Sequence, residues 1–139
     1  MGGVRIPYDR GAVGHSDADV LIHAICDALL GALNLGDIGL HFPNTDPAYK
    51  DIDSKILLNK IFQLILQKGF RIVNIDTVIC LEKPKIMPHA RDMCITIARI
   101  LGIAADDISI KATTTERLGF IGREEGIMAQ AVVLLRKAD

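Results

Sequence analysis

Residues 70–81, with the sequence FRIVNIDTVICL, are the stretch that decides the fold. They are rich in Ile, Val and Thr and long enough for a strand in the middle of a sheet. Pro84 follows closely and ends the strand, because proline cannot donate to a central hydrogen-bond ladder. We therefore predict a central strand over these residues.

Further apolar segments surround this strand. Residues 4–6 predict a short extended stretch closed by Pro7, and residues 108–112 and 126–135 predict two more strands. Three helices are predicted where apolar residues recur three or four positions apart. The sum is one domain over residues 1–139, an α/β (α+β) two-layer sandwich in which helices pack on one side of a mixed β-sheet.

Capping residues bound the predicted helices. Ser16 is followed by Asp19 in a pattern similar to a capping box, which predicts that the first helix begins there and continues to about Leu33. The other boundaries are Asp53 or Ser54 to Gly69 for the second helix and Pro88 to Gly102 for the third.

Charge and composition limit the class of partner. The chain has 16 basic and 17 acidic residues spread along its length, a formal net charge of −1, which indicates neither nucleic acid nor a membrane surface as partner. No apolar run reaches the length of a membrane span, and the start does not resemble a signal peptide, so a cytoplasmic location is expected. Cys26, Cys80 and Cys94 lie far apart in apolar runs and are expected to be reduced core thiols.

Histidines and carboxylates cluster near the predicted start of the first helix. His15 and Ser16 lie where free N–H groups and the helix dipole attract phosphate. His23 lies four residues from both Asp19 and Asp27, and a carboxylate at that spacing can orient a metal-bound imidazole. A single histidine on an apolar helix is more often a core residue than a ligand, so both interpretations stay open.

Residues 111–116, KATTTE, lie at the end of a predicted strand. Their hydroxyl and backbone N–H groups can hold diphosphate oxygens, and Glu116 suits Mg²⁺, which takes one or two protein oxygens together with substrate phosphates. A threonine run alone is also typical of an ordinary strand. Residues 36–50 and 84–88 are turn-rich candidates for site loops, although each is equally consistent with a plain connection.

Seven segments, taken in order, carry a resemblance to a known family. They are GGVRIPY at 2–8, HSDAD at 15–19, DALLGA at 27–32, GDIG at 36–39, FPNTDP at 42–47, PKIMPH at 84–89 and KATTTERLGF at 111–120. The set spans essentially the whole chain and closely resembles the 2-C-methyl-D-erythritol 2,4-cyclodiphosphate synthase family of the non-mevalonate isoprenoid pathway.

The resemblance implies a homotrimer that associates through its sheets, with active sites between neighbouring subunits. It also implies a lyase that converts 4-diphosphocytidyl-2-C-methyl-D-erythritol 2-phosphate to the 2,4-cyclodiphosphate and releases CMP, with Zn²⁺ and either Mg²⁺ or Mn²⁺ as cofactors. Nucleophile and leaving group belong to one substrate, so the protein needs to orient that substrate and neutralise charge. The absence of a nucleophile motif agrees with this.

The resemblance also implies roles for individual positions. His23 resembles a zinc ligand, Glu116 resembles the ligand of the second cation, and His15 and Thr114 match positions thought to steady the transition state. Other positions match substrate-binding residues. His15 and Ser16 match residues toward the phosphates, Glu116 matches one at the diphosphate, and Phe120 and Arg123 match residues near the trimer axis, where some members hold an isoprenoid diphosphate. The methylerythritol phosphate site is matched by Asp37, Ile38, Gly39, Phe42, Pro43, Asn44, Thr45 and Asp46, and the cytidine site by Leu81, Glu82, Lys83, Pro84, Lys85, Ile86, Met87, Thr113, Thr114 and Thr115.

One expected motif does not occur in the sequence. Family members begin with a strand bearing Asp-x-His, which supplies two of the three protein ligands to zinc, and His23 alone should not hold zinc firmly. We expect a segment before Met1 to carry the pair, and in-frame upstream codons without Asp-x-His would overturn that expectation. The alternative is a truncated, inactive relative.

Two other functions stay open. A non-catalytic trimer that binds a cytidine nucleotide or an isoprenoid diphosphate as a regulator would bind CDP without turnover. Another divalent-metal phosphotransfer or phosphoesterase activity is possible in principle, but no separate motif supports it.

Overall fold

A computed structural model describes residues 1–6 and 19–139 of the chain. No helix in these two ranges is long and apolar enough to cross a membrane. The helices there are α1 Val20–Ala32, α2 Ile38–His41, α3 Ser54–Gln67, α4 Ala90–Leu101 and α5 Gly119–Gly122, and the strands are β1 Phe70–Cys80, β2 Ile108–Thr113 and β3 Met128–Lys137. Single 3₁₀ turns cover Pro47–Tyr49, Met87–His89 and Ala105–Asp107.

The described strands form one mixed sheet in the order β2-β1-β3. β1 runs parallel to β2, with Cys80 opposite Thr113, and antiparallel to β3, with Cys80 opposite Met128. The antiparallel register shifts between Ile72 and Asn74, which marks a β-bulge. The predicted central strand and mixed sheet are confirmed.

The apolar side chains of the sheet divide between its two faces. Ile75 and Ile79 of β1 and Ile110 of β2 are buried in one core with the helices. On β3 the exposure alternates, so that Val132 is 73% exposed and Leu134 56% exposed on the opposite face. The helices therefore cover one side of the sheet, as the two-layer prediction requires.

The first helix begins later than the sequence predicts. Its N-cap is Asp19, whose side chain accepts a hydrogen bond from the backbone N–H of Ile22 at 3.1 Å. The same carboxylate accepts from the N–H groups of Gly2 at 2.9 Å and Gly3 at 2.8 Å, which ties the start of the chain to the helix. The prediction that Ser16 begins this helix is wrong, because Asp19 supplies the cap.

Residues 1–6 contain no strand, and Val4 lies in a bend, while Pro7, which was predicted to close an extended stretch at 4–6, lies outside the described residues. Gly2 and Gly3 have φ values of +58° and +74°, and they form a turn closed by the Val4 N–H and the Met1 carbonyl oxygen at 2.9 Å. A Cβ atom at Gly2 would lie 2.6 Å from the side chain of Met93, so glycine is required there.

Short helices interrupt segments that were predicted as loops. Residues 36–50 contain α2, capped by Asp37, and the Pro47–Tyr49 turn, capped by Asp46. The loop predicted between β2 and β3 contains α5. All three are too short to show a helical pattern of apolar residues, and α5 has no side-chain cap.

Candidate functional site

The carboxyl ends of the parallel strands β1 and β2 lie side by side. Beyond the last strand pair, the Leu81 N–H donates to the Thr113 carbonyl oxygen at 3.0 Å. Residues 81–87 and 113–116 therefore leave the sheet next to each other, at the carboxyl ends of the two strands. These are the two segments predicted to form the cytidine pocket, and the structure brings them together.

Glu82 connects the two segments directly. Its Oε1 accepts a hydrogen bond from the Arg117 N–H at 3.0 Å and a longer one from the Thr115 N–H at 3.3 Å. The Thr115 hydroxyl lies 3.4 Å from the same oxygen, but its single proton is better placed on the Leu118 carbonyl oxygen at 2.7 Å. One carboxylate thus holds the backbone on both sides of Glu116.

The side chains of residues 81–87 differ in what they can offer a ligand. Leu81 is 4% exposed and Ile86 is 1% exposed, so both belong to the core and can present only backbone groups. Met87 is 54% exposed, and Lys83 and Lys85 are also exposed. Leu81 and Ile86 therefore anchor the segment in the core, while Lys83, Lys85 and Met87 present cationic and thioether side chains to solvent.

Glu116 is exposed on a tight turn. It has a φ of +53°, and its N–H donates to the Thr114 Oγ1 at 3.2 Å. An exposed carboxylate can serve Mg²⁺ or Mn²⁺, because these ions are held by one or two protein carboxylates together with substrate phosphates. The exposure of Glu116 leaves its carboxylate accessible to a cation, and the second-cation site stays a prediction.

A second group of polar side chains lies between α1 and α3. The Nε2 atom of His23, which is half-buried, lies 2.9 Å from the Oγ of Ser54, and the proton of this hydrogen bond depends on the histidine tautomer. Sequence reasoning considered Ser54 only as a helix cap and missed this contact. The contact satisfies one ring nitrogen of His23, as expected of a core histidine, and it does not by itself show a metal ligand.

Zinc requires more ligands than the described residues bring together. In residues 1–6 and 19–139, no group of three or more His, Cys, Asp or Glu side chains is arranged to hold a metal ion. His23 alone does not fit a catalytic zinc site, which normally has three protein ligands. The described residues therefore do not form a complete zinc site.

The predicted sugar-phosphate loop is fixed by hydrogen bonds from its carboxylates. The Asp27 side chain on α1 accepts from the Ile38 N–H at 2.9 Å, and Asp37 accepts from the Leu40 N–H at 2.9 Å. Asp46 caps the following turn through the Ala48 N–H at 2.9 Å. The other predicted residues of this loop are Gly39, Phe42, Pro43, Asn44 and Thr45. Phe42 contacts Tyr49 edge to face, with ring centroids 5.2 Å apart.

Phe120 and Arg123 lie on and after α5. Phe120 is 52% exposed, and the Arg123 Nε donates to the Glu125 Oε1 at 2.7 Å. This ion pair lowers the pKa of Glu125 and raises the pKa of Arg123. Gly122 packs so closely on the backbone of Arg117 that a Cβ atom would lie 2.1 Å from its carbonyl carbon, which joins this segment to the Glu116 turn.

Two predicted residues, His15 and Ser16, lie outside the described residues. What the structure does define is a small two-layer α/β protein whose polar site lies at the carboxyl ends of two parallel strands. Ligands of α/β proteins commonly bind at such an edge, where N–H groups and loop side chains converge.

Comparison with known proteins gives the family. The chain belongs to the YgbB family, whose model matches residues 1–136. The chain is 60% identical over 137 residues to a protein of Bacteroides thetaiotaomicron named 2-C-methyl-D-erythritol 2,4-cyclodiphosphate synthase, and the match covers 99% of this chain and 86% of that protein.

Solved structures agree with this assignment. The bifunctional IspDF protein of Campylobacter jejuni is 41% identical with a TM-score of 0.95, and the match covers 99% of this chain but only 37% of that longer protein. The CDP complex of IspF from Plasmodium falciparum is 35% identical with a TM-score of 0.82, over 91% of this chain and 76% of that one. The predicted family is confirmed.

Proposed function

We infer that the protein is a 2-C-methyl-D-erythritol 2,4-cyclodiphosphate synthase, a lyase of isoprenoid biosynthesis. The observation that carries this inference is the 60% identity to a synthase of that name over nearly the whole chain. A cytidine diphosphate-linked small molecule as the ligand is supported by the similarity to an IspF chain in complex with CDP. The non-catalytic alternative lacks comparable support.

The reaction is an intramolecular displacement at phosphorus. An oxygen of the 2-phosphate forms a bond to the inner phosphorus of the diphosphate, and the bond from that phosphorus to the bridging oxygen breaks. The bridging oxygen leaves with the electron pair as part of CMP, and the ring closes. The protein's task is to hold both phosphates in line and to offset their charge.

The segments at the carboxyl ends of β1 and β2 provide groups that can hold the phosphates and offset their charge. Residues 81–87 and 113–115 are proposed to hold the cytidine end, with Lys83 and Lys85 as exposed cations and Thr114 as a hydroxyl donor near the reacting phosphates. Glu116 is proposed as the protein ligand of Mg²⁺ or Mn²⁺. When bound there, the cation would offset the negative charge of the diphosphate.

Several residue roles predicted from the sequence are proposed here as well. His23 is proposed as one zinc ligand, His15 and Ser16 as phosphate contacts, Asp37–Asp46 as the methylerythritol phosphate site, and Phe120 with Arg123 as an isoprenoid diphosphate contact. Zinc titrated into the protein and into His23→Ala tests the first, since a His23 ligand predicts weaker zinc binding in the variant. The cytoplasmic location also stays a prediction.

A homotrimer that associates through its sheets is proposed as well. Its support in this chain is the sheet face opposite the helices, where Val132 and Leu134 expose apolar surface. Contiguous exposed apolar side chains on one sheet face are typical of an interaction surface.

Direct assay tests the proposed function. The protein supplied with Zn²⁺, Mg²⁺ and the cytidylyl substrate is expected to release CMP and to form a cyclic diphosphate visible by ³¹P NMR. Glu116→Gln is expected to lower kcat/KM by roughly 100-fold, the order of effect that follows loss of one charge-stabilising contact. Asp106→Asn, at the opposite end of β2, serves as the control.

The alternative gives a different result in the same experiment. CDP binding by well-folded protein with no CMP release would favour a regulator over an enzyme. Equal activity in the wild type and in Glu116→Gln would instead remove Glu116 from the proposed cation site.

A further inference from the structure

We propose that Glu82 is a positioning residue that holds the Glu116 turn in the shape that binds the divalent cation. The proposal rests on the proposed function, because it assigns the cation to Glu116. It differs from the substrate-binding role that the family resemblance implies for Glu82, since it makes the carboxylate a ligand for backbone N–H groups and not for the nucleotide.

The hydrogen bonds of Glu82 bracket Glu116. The N–H groups of Thr115 and Arg117, the residues on either side, both donate to the Glu82 Oε1, at 3.3 and 3.0 Å. Hydrogen bonds to a charged acceptor are stronger than those between neutral groups. Glu82 itself follows directly after Leu81, whose N–H extends the pairing of β1 with β2. The carboxylate is therefore held by the sheet and in turn holds the loop.

The turn that Glu82 holds has an unfavourable backbone conformation. Glu116 and Arg117 have φ values of +53° and +64°, and both are left-handed without being glycine. Each such residue costs about 1 kcal/mol or more, and two in succession persist only where the surroundings determine them. The hydrogen bond from the Arg117 N–H to the Glu82 carboxylate is thus well placed to stabilise this left-handed conformation.

Charge also argues against direct contact between Glu82 and the diphosphate. A carboxylate close to phosphate oxygens is repelled by them unless a cation or a set of N–H donors lies between. In this structure the N–H donors to the Glu82 carboxylate are those of Thr115 and Arg117, in the Glu116 turn. The negative charge of Glu82 lies against the backbone on both sides of Glu116.

Other contacts keep the loop folded when Glu82 is changed. Thr115 Oγ1 donates to the Leu118 carbonyl oxygen at 2.7 Å, and the Gly122 N–H donates to the same carbonyl oxygen at 3.1 Å. Glu82 is half-buried and lies outside the main core. We therefore expect substitution at Glu82 to alter the geometry and motion of the turn while the domain stays folded.

The test compares Glu82→Ala, Glu82→Gln and the control Asp106→Ala. Asp106 is an exposed carboxylate paired with Arg91 at 3.0 Å, and it lies before β2, whereas the Glu116 turn follows β2. Asp106→Ala makes the same change in net charge at the far end of the strand. Glu82→Gln keeps a carbonyl acceptor for the N–H groups without the charge.

Two readouts do not need catalysis. Mn²⁺ binding in the presence of CDP, followed by electron paramagnetic resonance, is expected to weaken roughly 10- to 100-fold in Glu82→Ala, as is usual when a group that orients a metal ligand is lost. Amide exchange at Thr115 and Arg117 is expected to quicken in the same variant. In Glu82→Gln both the Mn²⁺ affinity and the slow amide exchange are expected to be close to those of the wild type. Asp106→Ala is expected to match the wild type in both.

Kinetics then separate this proposal from the proposed function. In Glu82→Ala the Mg²⁺ concentration needed for half-maximal CMP release is expected to rise, with kcat largely restored at saturating Mg²⁺. Wild-type Mn²⁺ affinity and wild-type exchange in Glu82→Ala would overturn the positioning role, as would a Glu82→Gln variant as weak as Glu82→Ala. Absence of CMP release from well-folded, zinc-loaded wild type would overturn the function, while the binding and exchange measurements would still decide the role of Glu82.

Discussion

Single side chains in this protein are often fixed by groups far away in sequence. Asp53 acts as a helix cap within two residues, which a sequence can indicate. Glu82 instead meets Arg117, and His23 meets Ser54, across more than 30 positions. The sequence singled out His23 as a possible metal ligand and Glu82 only through the family resemblance, and the contacts of both follow from the fold.

The carboxylate of Asp76 shows how one such contact affects behaviour with pH. Lys111 Nζ donates to Asp76 Oδ2 at 2.9 Å, and this hydrogen bond is the main cause that lowers the pKa of Asp76 below 3.8. A carboxyl whose pKa is lowered on folding stabilises the folded state above its unfolded pKa, and that contribution is lost as the pH falls through the folded pKa.

Lys111→Met is therefore expected to raise the pKa of Asp76 toward its ordinary value, measured by NMR titration of the carboxyl carbon. Any difference in stability between variant and wild type should be present at pH 7 and absent near pH 2. Lys137→Met, at the exposed end of β3, is the control. An unchanged Asp76 pKa in Lys111→Met would contradict the assigned cause.

The thiol of Cys26 is expected to be unreactive in the native protein. Burial raises its pKa far above the ordinary value of a thiol, and the nearby charges of Asp27 and Asp19 act in the same direction. Iodoacetamide at pH 8 should therefore leave Cys26 unmodified in folded protein and alkylate it in urea, with peptide mass spectrometry as the measurement. Equal labelling rates in both states would show that the side chain is accessible.

At the scale of elements, local signals predicted most helix and strand boundaries. Gly102 ends α4 with a φ of +63°, as a C-cap glycine should, and β1 differs from its predicted bounds by one residue. The first helix was misplaced because Ser16 and Asp19 both have cap chemistry. Only the contact of Asp19 with Ile22 selects between them.

The cap of α3 gives a prediction at this scale. Asp53 accepts a hydrogen bond from the Lys55 N–H at 2.9 Å, so Asp53→Ala is expected to lower the free energy of unfolding by about 1 kcal/mol. Asp53→Asn keeps a good capping side chain and should stay within a few tenths of a kcal/mol of the wild type. Urea denaturation measures both, and an equal loss in the two variants would show that the charge matters more than the cap.

The whole molecule presents one sheet face to its helices and the other outward. Val132 and Leu134 are exposed on the outward face of β3, although β3 is flanked by the core through Val133 and Leu135. The proposed trimer would remove this apolar surface from water, a favourable change in proportion to its area.

Val132→Asp combined with Leu134→Asp is expected to yield monomers, because burying two carboxylates in an apolar interface is costly. Light scattering should give three times the 15.1 kDa chain mass for the wild type and one chain mass for the variant. Ile56→Asp, an exposed apolar position on the helical layer, is the control and should leave the trimer intact. A monomeric wild type would contradict the proposed assembly.

The sequence by itself determined the central strand at 70–81, the mixed two-layer fold, the Asp53 cap of α3 and the segments that carry polar chemistry, because propensity, periodicity and capping act over a few residues. Only the tertiary structure decided the strand order β2-β1-β3, the pairing of Cys80 with Thr113 and the hold of Glu82 on the Glu116 turn. Those features depend on which distant segments pack together. That choice is made by burial of the common core, which no local pattern specifies.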